Sequence, residues 1–332
     1  MKRRPGLPAP GPTLPALTCA LALAATACGG TAATADPDHY PERPVTMLVG
    51  FAPGGGTDTI ARNVARCLNS SLDREVVVEN KPGGSQAIAL NDLLNAPADG
   101  HTMAMVTTSG PVVVPLRVPT VGYDKDDFTP LNEVTHAPSV LITPPELHEE
   151  VGPGFLDREE ELVVSTPGAL SAPHQTLNLL ADVRDAPVRA VPYQGSRPAI
   201  TALLAGDVNA VFTESSQEVM DQLAGTGLQV SVSGGQERMP HIPDVPTFEE
   251  LGYDGLPMSD SFWFPVLHGD TPDELVELLE GHIRTCAESP ELAEAVGENY
   301  VANDRPTSSE LSRGVMDQMH QSFVELIGEE ES

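Results

Sequence analysis

The feature that most constrains this chain is a short apolar run followed by a glycine turn and a helical segment. Residues 45–50 are rich in β-branched side chains and predict a buried strand, and residues 57–72 predict a helix. The turn between them reads FAPGGG, and glycine lets the backbone come close to a ligand. The first amides of the helix have no partners within it and carry the positive end of its dipole. The arrangement indicates either an anion site or a bare turn of an α/β fold.

The rest of the chain alternates between strands and helices, which predicts parallel sheets with right-handed crossovers. Further strands are predicted at 75–79, 102–107, 161–165, 189–191, 207–212, 229–233 and 262–267. The strands from 161 onward predict a second α/β domain that faces the first, and 229–233 is predicted to return to the first. In such sheets ligands bind beyond the carboxyl ends of the strands, where the polar loops would lie.

Residues 1–27 predict a secretion signal, with basic residues before an apolar run too short to span a membrane. The run ends in ATAC, which resembles a bacterial lipobox with Cys28 as the lipidated residue. An ordinary cleaved signal is the alternative. Residues 28–39 predict a flexible tether, and no later segment is apolar enough to span a bilayer. We therefore expect an extracytoplasmic protein that is anchored to the membrane by lipid on Cys28.

The charge of the chain excludes some partners. It carries 48 acidic and 18 basic residues, a formal charge of −30. Loss of the three basic residues of the signal changes this from −30 to −33. Such a surface argues against nucleic acid and anionic lipid as partners. Adaptation to high ionic strength is favoured over a cation-binding role.

Two cysteines remain after the signal and the lipobox, Cys67 and Cys286. In an oxidising compartment they could pair, and two buried free thiols are the alternative. No Cys/His cluster has the spacing of metal ligands, so we expect no metal and no other cofactor.

Five blocks of sequence carry a resemblance to a known family. They are YP through FAPGGGTD (40–58), VVVENKPG with DGHT (76–102), YD with DFTP (123–130), VPYQG with LLAG (191–206), and PDVPT with ELGY (243–253). In this order and with these gaps, the chain resembles the tripartite tricarboxylate transporter receptors, the Bug (TctC-like) extracytoplasmic solute-binding proteins. The resemblance covers nearly everything after residue 40.

The resemblance implies an α/β, two-lobed periplasmic-binding-protein fold of the Venus-flytrap, type II-like class. Two crossover strands would form the hinge, near 139–143 and 229–233. Lobe 1 would comprise residues 40–140 and 232–332, and lobe 2 residues 141–231.

The resemblance also implies a ligand held by backbone amides, hydroxyls and water in the cleft between the lobes. Gly54, Gly55 and Thr57 are the strongest candidates to hold a ligand carboxylate, whereas Asp58 is expected to organise the loop, because it would repel an anion. The other candidates are Phe51, Ser85, Gln86, Thr108 and Ser109 in the first lobe, and Ser171, Tyr193, Gln194, Gly195 and Glu214 in the second.

Several of these candidates have a structural alternative. Phe51 is nearly as well explained as a core aromatic, and Ser85 and Gln86 as a cap of the second helix. Gln86 stands where the family commonly has glycine, which predicts a smaller and more polar pocket floor. His174 is more often a packed residue than a catalyst. Glu214 could orient a water or select a ligand that carries an amine.

The function predicted on this basis is a transporter receptor that captures a small di- or tricarboxylate and delivers it to membrane permease subunits. The alternative is a sensory binding protein that signals to a membrane kinase. A secreted hydrolase is remote, because the chain has no Gly-x-Ser-x-Gly elbow, no P-loop ending and no dinucleotide fingerprint. We therefore expect no enzymatic activity.

Overall fold

The computed structural model describes residues 39–151, 159–235, 237–253, 259–301 and 307–330. The predicted signal, Cys28 and the tether as far as residue 38 lie outside the described residues. Within the described ranges, none of the helices combines the length and the apolar character needed to cross a bilayer.

Two sheets organise the described residues. The first contains β1 (Val45–Val49), β2 (Val76–Asn80), β3 (Thr102–Thr107), β4 (Phe128–Pro130), β5 (Thr135–Ala137) and β11 (Ser261–His268). Its order is β2-β1-β3-β11-β4, and β5 also pairs with β11. The pairs β1–β2 and β1–β3 are parallel, whereas β11 runs antiparallel to β3. The start of β11 therefore lies at the carboxyl end of β3.

The second sheet contains β6 (Ser139–Thr143), β7 (Leu162–Thr166), β8 (Val188–Pro192), β9 (Ala210–Glu214) and β10 (Gln229–Ser233). Its order is β10-β6-β9-β7-β8. Strand β7 is parallel to β8 and β9, and β6 is antiparallel to β9 and β10. Strand β10 thus belongs to the second sheet, and the prediction that 229–233 returns to the first domain is wrong. The chain re-enters the first sheet only at β11.

Ten helices accompany the strands of the described ranges. They are α1 (Gly56–Leu72), α2 (Ala87–Leu94), α3 (Val114–Arg117), α4 (Pro145–Val151), α5 (Ala172–Arg184), α6 (Ser196–Ala205), α7 (Gln217–Leu223), α8 (Asp273–Ala287), α9 (Pro290–Val296) and α10 (Ser309–Glu330). Most of the predicted elements are confirmed to within about two residues at each end.

Each sheet has a core on both faces. In the first sheet, α1, α8 and α9 cover one face, while α2 and α10 contribute to the core on the other. Strand β1 is almost wholly apolar and buried because helices cover both of its faces. The second sheet is covered by a cluster around Leu177 and Phe212 and another around Ile200 and Val219.

A disulfide joins the two helices on one face of the first sheet. Cys67 of α1 and Cys286 of α8 are bonded, with their Cα atoms 5.6 Å apart. Of the two alternatives that the sequence left open, the structure shows the paired one. The bond ties the helix that begins at the glycine turn to a helix 219 residues further along the chain.

Candidate functional site

The candidate residues of both lobes lie in loops that follow the carboxyl ends of parallel strands. The loops after β1, β2 and β3 carry those of the first lobe, and the loops after β7, β8 and β9 those of the second. These two edges meet. The Ser261 hydroxyl, at the start of β11, donates to Glu214 Oε1 at the end of β9 over 3.3 Å. Ser139, at the start of β6, donates from Oγ to the carbonyl of Ser259 over 2.5 Å.

The glycine turn is held from within by Asp58. This side chain is 2 % exposed, and its Oδ2 accepts from the Gly54 amide at 2.8 Å and from Arg62 Nε at 2.9 Å. Its Oδ1 accepts from Asn80 Nδ2 at 2.8 Å. Burial by itself raises the pKa of Asp58, but the bonds from Arg62, Gly54 and Asn80 together hold it below its usual value. Asp58 therefore organises the loop, and the Gly54 amide is engaged by Asp58 and not directed at a ligand.

The start of α1 is the part of the turn whose amides have no side-chain partner. Gly55 is the N-cap residue and has an extended conformation, and no side chain caps the helix. The amides of the first turn have no acceptor within the helix. Thr57 is 7 % exposed, and its hydroxyl accepts from the indole of Trp263 at 2.9 Å. The hydrogen of that hydroxyl is thereby turned away from the indole.

Phe51 has a half-buried side chain that packs against the core of the first sheet. Its carbonyl accepts from Asn80 Nδ2 at 3.1 Å. The side chain thus packs as a core aromatic, which was the structural alternative for this residue, and the carbonyl helps to fix the turn.

Gln86 fills the space under the first-lobe loops. It is 1 % exposed and exchanges two hydrogen bonds with Thr107, from Nε2 to Oγ1 at 2.7 Å and from the Thr107 amide to Oε1 at 2.9 Å. A Cβ at Gly50 would lie 2.6 Å from the Gln86 backbone, and one at Gly110 would lie 2.9 Å from its side chain. Only glycine on both sides leaves room for this residue. Gln86 therefore joins the loops after β2 and β3 as a packed polar floor.

Ser85 does not cap the second helix. It has a left-handed backbone, with φ 51° and ψ 53°, in a short 3₁₀ turn, and α2 begins only at Ala87. The N-cap of α2 is Gln86, which is also left-handed and makes no side-chain cap bond. The alternative that Ser85 caps the second helix is therefore wrong, because α2 begins at Ala87 and Gln86 occupies its N-cap position.

Thr108 and Ser109 follow β3 and are both buried. The Thr108 amide donates to the carbonyl of Phe262 at 3.2 Å, which continues the pairing of β3 with β11. The Thr108 hydroxyl is completely buried and has no hydrogen-bond partner among the described residues. A buried hydroxyl without a partner indicates a place where water or a ligand group completes the bonding.

In the second lobe, Ser171 is a helix cap. Its hydroxyl accepts from the His174 amide at 3.3 Å and donates to the Gly168 carbonyl at 2.7 Å. The His174 ring lies 2.7 Å from Thr166 Oγ1, and burial lowers its pKa. Both residues are engaged in local structure, as expected for a packed histidine.

The loop after β8 is more open. The Tyr193 side chain is half-buried against the core, Gln194 is exposed, and Gly195 precedes α6 with φ 118°. The Tyr193 and Gly195 amides donate to the carbonyls of Thr166 and Pro167, so the loop after β7 holds this one in place.

Glu214 is surrounded by hydroxyl groups. Its Oε2 lies 3.2 Å from Ser196 Oγ and 3.0 Å from Thr213 Oγ1, and its Oε1 accepts from Ser261. Ser196 begins α6 and Ser261 begins β11, so the carboxylate joins elements of both sheets.

Residues of the two lobes also make contact away from Glu214. Arg117 Nε of α3 donates to Gln175 Oε1 of α5 at 2.8 Å. On α7, Glu218 lies beside the start of α1, since a Cβ at Gly56 would be 3.6 Å from its Oε2. Glu218 Oε1 is paired with Arg197 at 3.0 Å. The first turn of α1 therefore faces a carboxylate of the second lobe.

The structure adds three residues that the sequence did not identify, Ser196, Ser261 and Trp263. Two of them lie on β11, whose start reaches the site only because the strand is antiparallel to β3. The described residues contain no group of three or more His, Cys, Asp and Glu that could hold a metal ion.

Comparison with known proteins agrees with this architecture. A sequence model described as "Tripartite tricarboxylate transporter family receptor" (TctC) matches residues 60–329. Protein BugT of Bordetella pertussis is 34 % identical over 283 residues, which cover 81 % of this chain and 84 % of that protein.

Two solved structures are similar over most of their length. The periplasmic binding protein BugD has a TM-score of 0.68 and 26 % identity, covering 85 % of this chain and 96 % of that one. MatC from Rhodopseudomonas palustris, with bound malate, has a TM-score of 0.73 and 24 % identity, covering 85 % and 98 %. The two-lobed periplasmic-binding-protein fold is thus confirmed. The chain belongs to the tripartite tricarboxylate transporter receptor family and is an extracytoplasmic solute-binding receptor of the TctC/Bug type, not an enzyme.

Proposed function

We propose that this receptor captures a small di- or tricarboxylate between its lobes and delivers it to membrane permease subunits. The observation that carries the proposal is the uncapped start of α1 at the edge where the two sheets meet. Free amides and the helix dipole favour a carboxylate there. The malate bound to the similar protein MatC supports the same class of ligand.

The lobe boundaries and the anchor are part of the proposal. The expected boundary at 231 does not fit, because β10 reaches Ser233 within the second sheet, and Phe248 and Tyr253 pack in a core of that sheet. Lobe 2 would therefore take residues 141 to at least 253, and lobe 1 residues 40–140 and the chain from β11 onward. The small residues before Cys28 support lipid attachment there and a membrane-anchored location. Closure of the lobes by hinge motion would sequester the ligand.

Thermal unfolding of a chain that begins at Asp36 tests the ligand class. Mono-, di- and tricarboxylates, amino acids and sugars are compared in high salt. A ligand at a hundred times its dissociation constant stabilises the folded state by about 2.7 kcal/mol. For a chain of about 300 residues that is a rise in Tm of roughly 4 °C. If no carboxylate raises the Tm, whereas a neutral solute or an amine does, the proposal is refuted.

A matched pair of variants tests the place of binding. Gly55 has an extended backbone, with φ −85°, and a Cβ there would meet only the Ala52 carbonyl, at 3.7 Å. Both Gly55→Asp and Gly55→Asn therefore fit and would cap α1. The aspartate adds a negative charge where the ligand carboxylate would bind, whereas the asparagine has the same shape without it. We expect Gly55→Asp to weaken dicarboxylate binding at least tenfold more than Gly55→Asn. Both side chains would compete with the ligand for the amides of the first turn, so wild-type affinity in both variants would refute binding at the start of α1.

A further inference from the structure

The carboxylate of Glu214 lies where the two lobes meet and is held by neutral groups. Its described hydrogen-bond partners are the hydroxyls of Ser196, Thr213 and Ser261, at 3.2, 3.0 and 3.3 Å. Within the described ranges no lysine, arginine or histidine forms an ion pair with it. Arg197, which follows Ser196 in the chain, pairs with Glu218 at 3.0 Å instead. The carboxylate of Glu214 is thus oriented by hydroxyls, and no cation among the described residues pairs with it.

The hydroxyls do not use the full acceptor capacity of this carboxylate. A carboxylate offers about four acceptor positions. The single hydrogen of Thr213 Oγ1 is shared between two acceptors in range, Glu214 Oε2 and Ser196 Oγ at 2.8 Å. Oε1 receives only the Ser261 hydroxyl. At least one acceptor position on Glu214 is therefore open to a further donor.

Two buried hydroxyls on segments that adjoin Glu214, through the chain or through the pairing of β3 with β11, also lack partners among the described residues. Ser215 follows Glu214 in the chain and Thr108 is joined through its amide to Phe262, the residue after Ser261. Both hydroxyls are completely buried and neither has a hydrogen-bond partner among the described residues. Buried polar groups are ordinarily paired, so these hydroxyls mark the neighbourhood of Glu214 as one that a polar ligand or water completes.

We propose that Glu214 selects, among small carboxylates, those that carry a hydrogen-bond donor, a hydroxyl or an ammonium, on the carbon skeleton between the carboxylates. The inference rests on the proposed function, with one ligand carboxylate at the start of α1. A ligand with only carboxylates meets repulsion at Glu214 and leaves its open acceptor unpaired. A ligand with a donor satisfies that acceptor. A binding site built to bond a donor discriminates strongly against an analogue that lacks it.

The test compares ligands that differ only in the donor. Calorimetric titration would measure Kd for succinate, malate and aspartate, for glutarate, 2-hydroxyglutarate and glutamate, and for tricarballylate and citrate. In each set the first compound lacks the donor. We expect the substituted compounds of at least one set to bind on the order of 10- to 100-fold more tightly, as for a hydrogen bond to a charged group. The hydroxyl and ammonium compounds show which donor Glu214 prefers.

Two variants locate the preference. Glu214→Gln keeps the shape and an accepting oxygen but removes the charge, so it should reduce the preference for an ammonium compound at least tenfold. A preferred hydroxyl compound should lose less, because the amide oxygen still accepts. Glu161→Gln is the matched control. Glu161 comes directly before the amino end of β7, at the edge of the sheet away from the site, and pairs with Arg189 at 3.2 Å on the surface. It should leave every ratio unchanged.

The outcomes separate this inference from the function. If unsubstituted compounds bind as tightly as substituted ones, or if both variants keep the wild-type ratios, Glu214 is not a selecting residue, although the receptor binds carboxylates. If none of these compounds binds the wild-type protein, the proposed function fails and the inference fails with it.

Discussion

Replacing Asp58 by asparagine should loosen the glycine turn from within. The aspartate is 2 % exposed and accepts from the Gly54 amide, Arg62 and Asn80. Asparagine has one accepting oxygen and no charge, so at least one of these donors loses its partner. A hydrogen bond to a charged group contributes about 1.5–3 kcal/mol. Arg62 is half exposed, which reduces its share. We expect the free energy of unfolding to fall by about 2–3 kcal/mol.

Urea unfolding followed by fluorescence is a direct assay for this loss. Trp263 is the only tryptophan of the chain, and its indole donates to Thr57, the neighbour of Asp58. Asp92→Asn is the matched control, because Asp92 is 46 % exposed and its bond to Lys81 is 3.4 Å long. The control should change stability by less than about 0.5 kcal/mol. If the two variants unfold at the same urea concentration, Asp58 does not organise the turn.

The same variant has a pH signature. The pKa of Asp58 is held below its usual value in the folded protein. A carboxyl of this kind contributes stability at pH values above its unfolded pKa and loses it as the pH falls through the folded pKa. The difference in the free energy of unfolding between the wild type and Asp58→Asn should therefore be largest at neutral pH and should shrink below about pH 4. A difference that stays constant from pH 7 to pH 2 would contradict this account.

Three further predictions concern the site, the disulfide and the charge. Thr57→Val leaves the buried Trp263 indole without an acceptor and should cost about 1–3 kcal/mol in urea unfolding, whereas Thr57→Ser should cost much less. Replacing both Cys67 and Cys286 by alanine opens a link that spans 219 residues and should lower stability by about 5.4 kcal/mol in the chain-entropy limit, measured against the oxidised protein. The association rate of a dicarboxylate should rise with salt in stopped-flow measurements, because a chain charged near −30 repels an anion at low ionic strength, and a flat or falling rate would count against this.

The strands and helices that are determined by neighbouring residues could be predicted from the sequence. The strand before the glycine turn and the helix after it were predicted within about a residue, because apolar runs and glycine act over a few neighbours. The organising role of Asp58 was expected from its charge, since a carboxylate in the turn itself would repel an anion bound by the same amides.

Residues whose environment is set by distant segments could not be predicted in the same way. Gln86 has a left-handed backbone and packs closely against Gly50 and Gly110, which lie in other loops. The roles of Ser261 and Trp263 depend on where β11 joins the first sheet. The sequence pattern of a strand predicts the strand but not its neighbours in the sheet. For the same reason 229–233 was recognised as a strand but assigned to the wrong sheet.

The strand order also sets the sequence in which the two sheets can be completed as the chain emerges. All strands of the second sheet lie within Ser139–Ser233, so this sheet can be finished as soon as β10 is available. The first sheet cannot be completed at that point, because one neighbour of β3 is β11. Thr107 of β3 pairs with Trp263, which comes 156 residues later. Until then β3 presents an unpaired apolar edge, and the partner of Cys67 has not appeared. A chain that emerges N-terminus first would thus have every strand of its second sheet before it could complete its first, although the first sheet begins earlier.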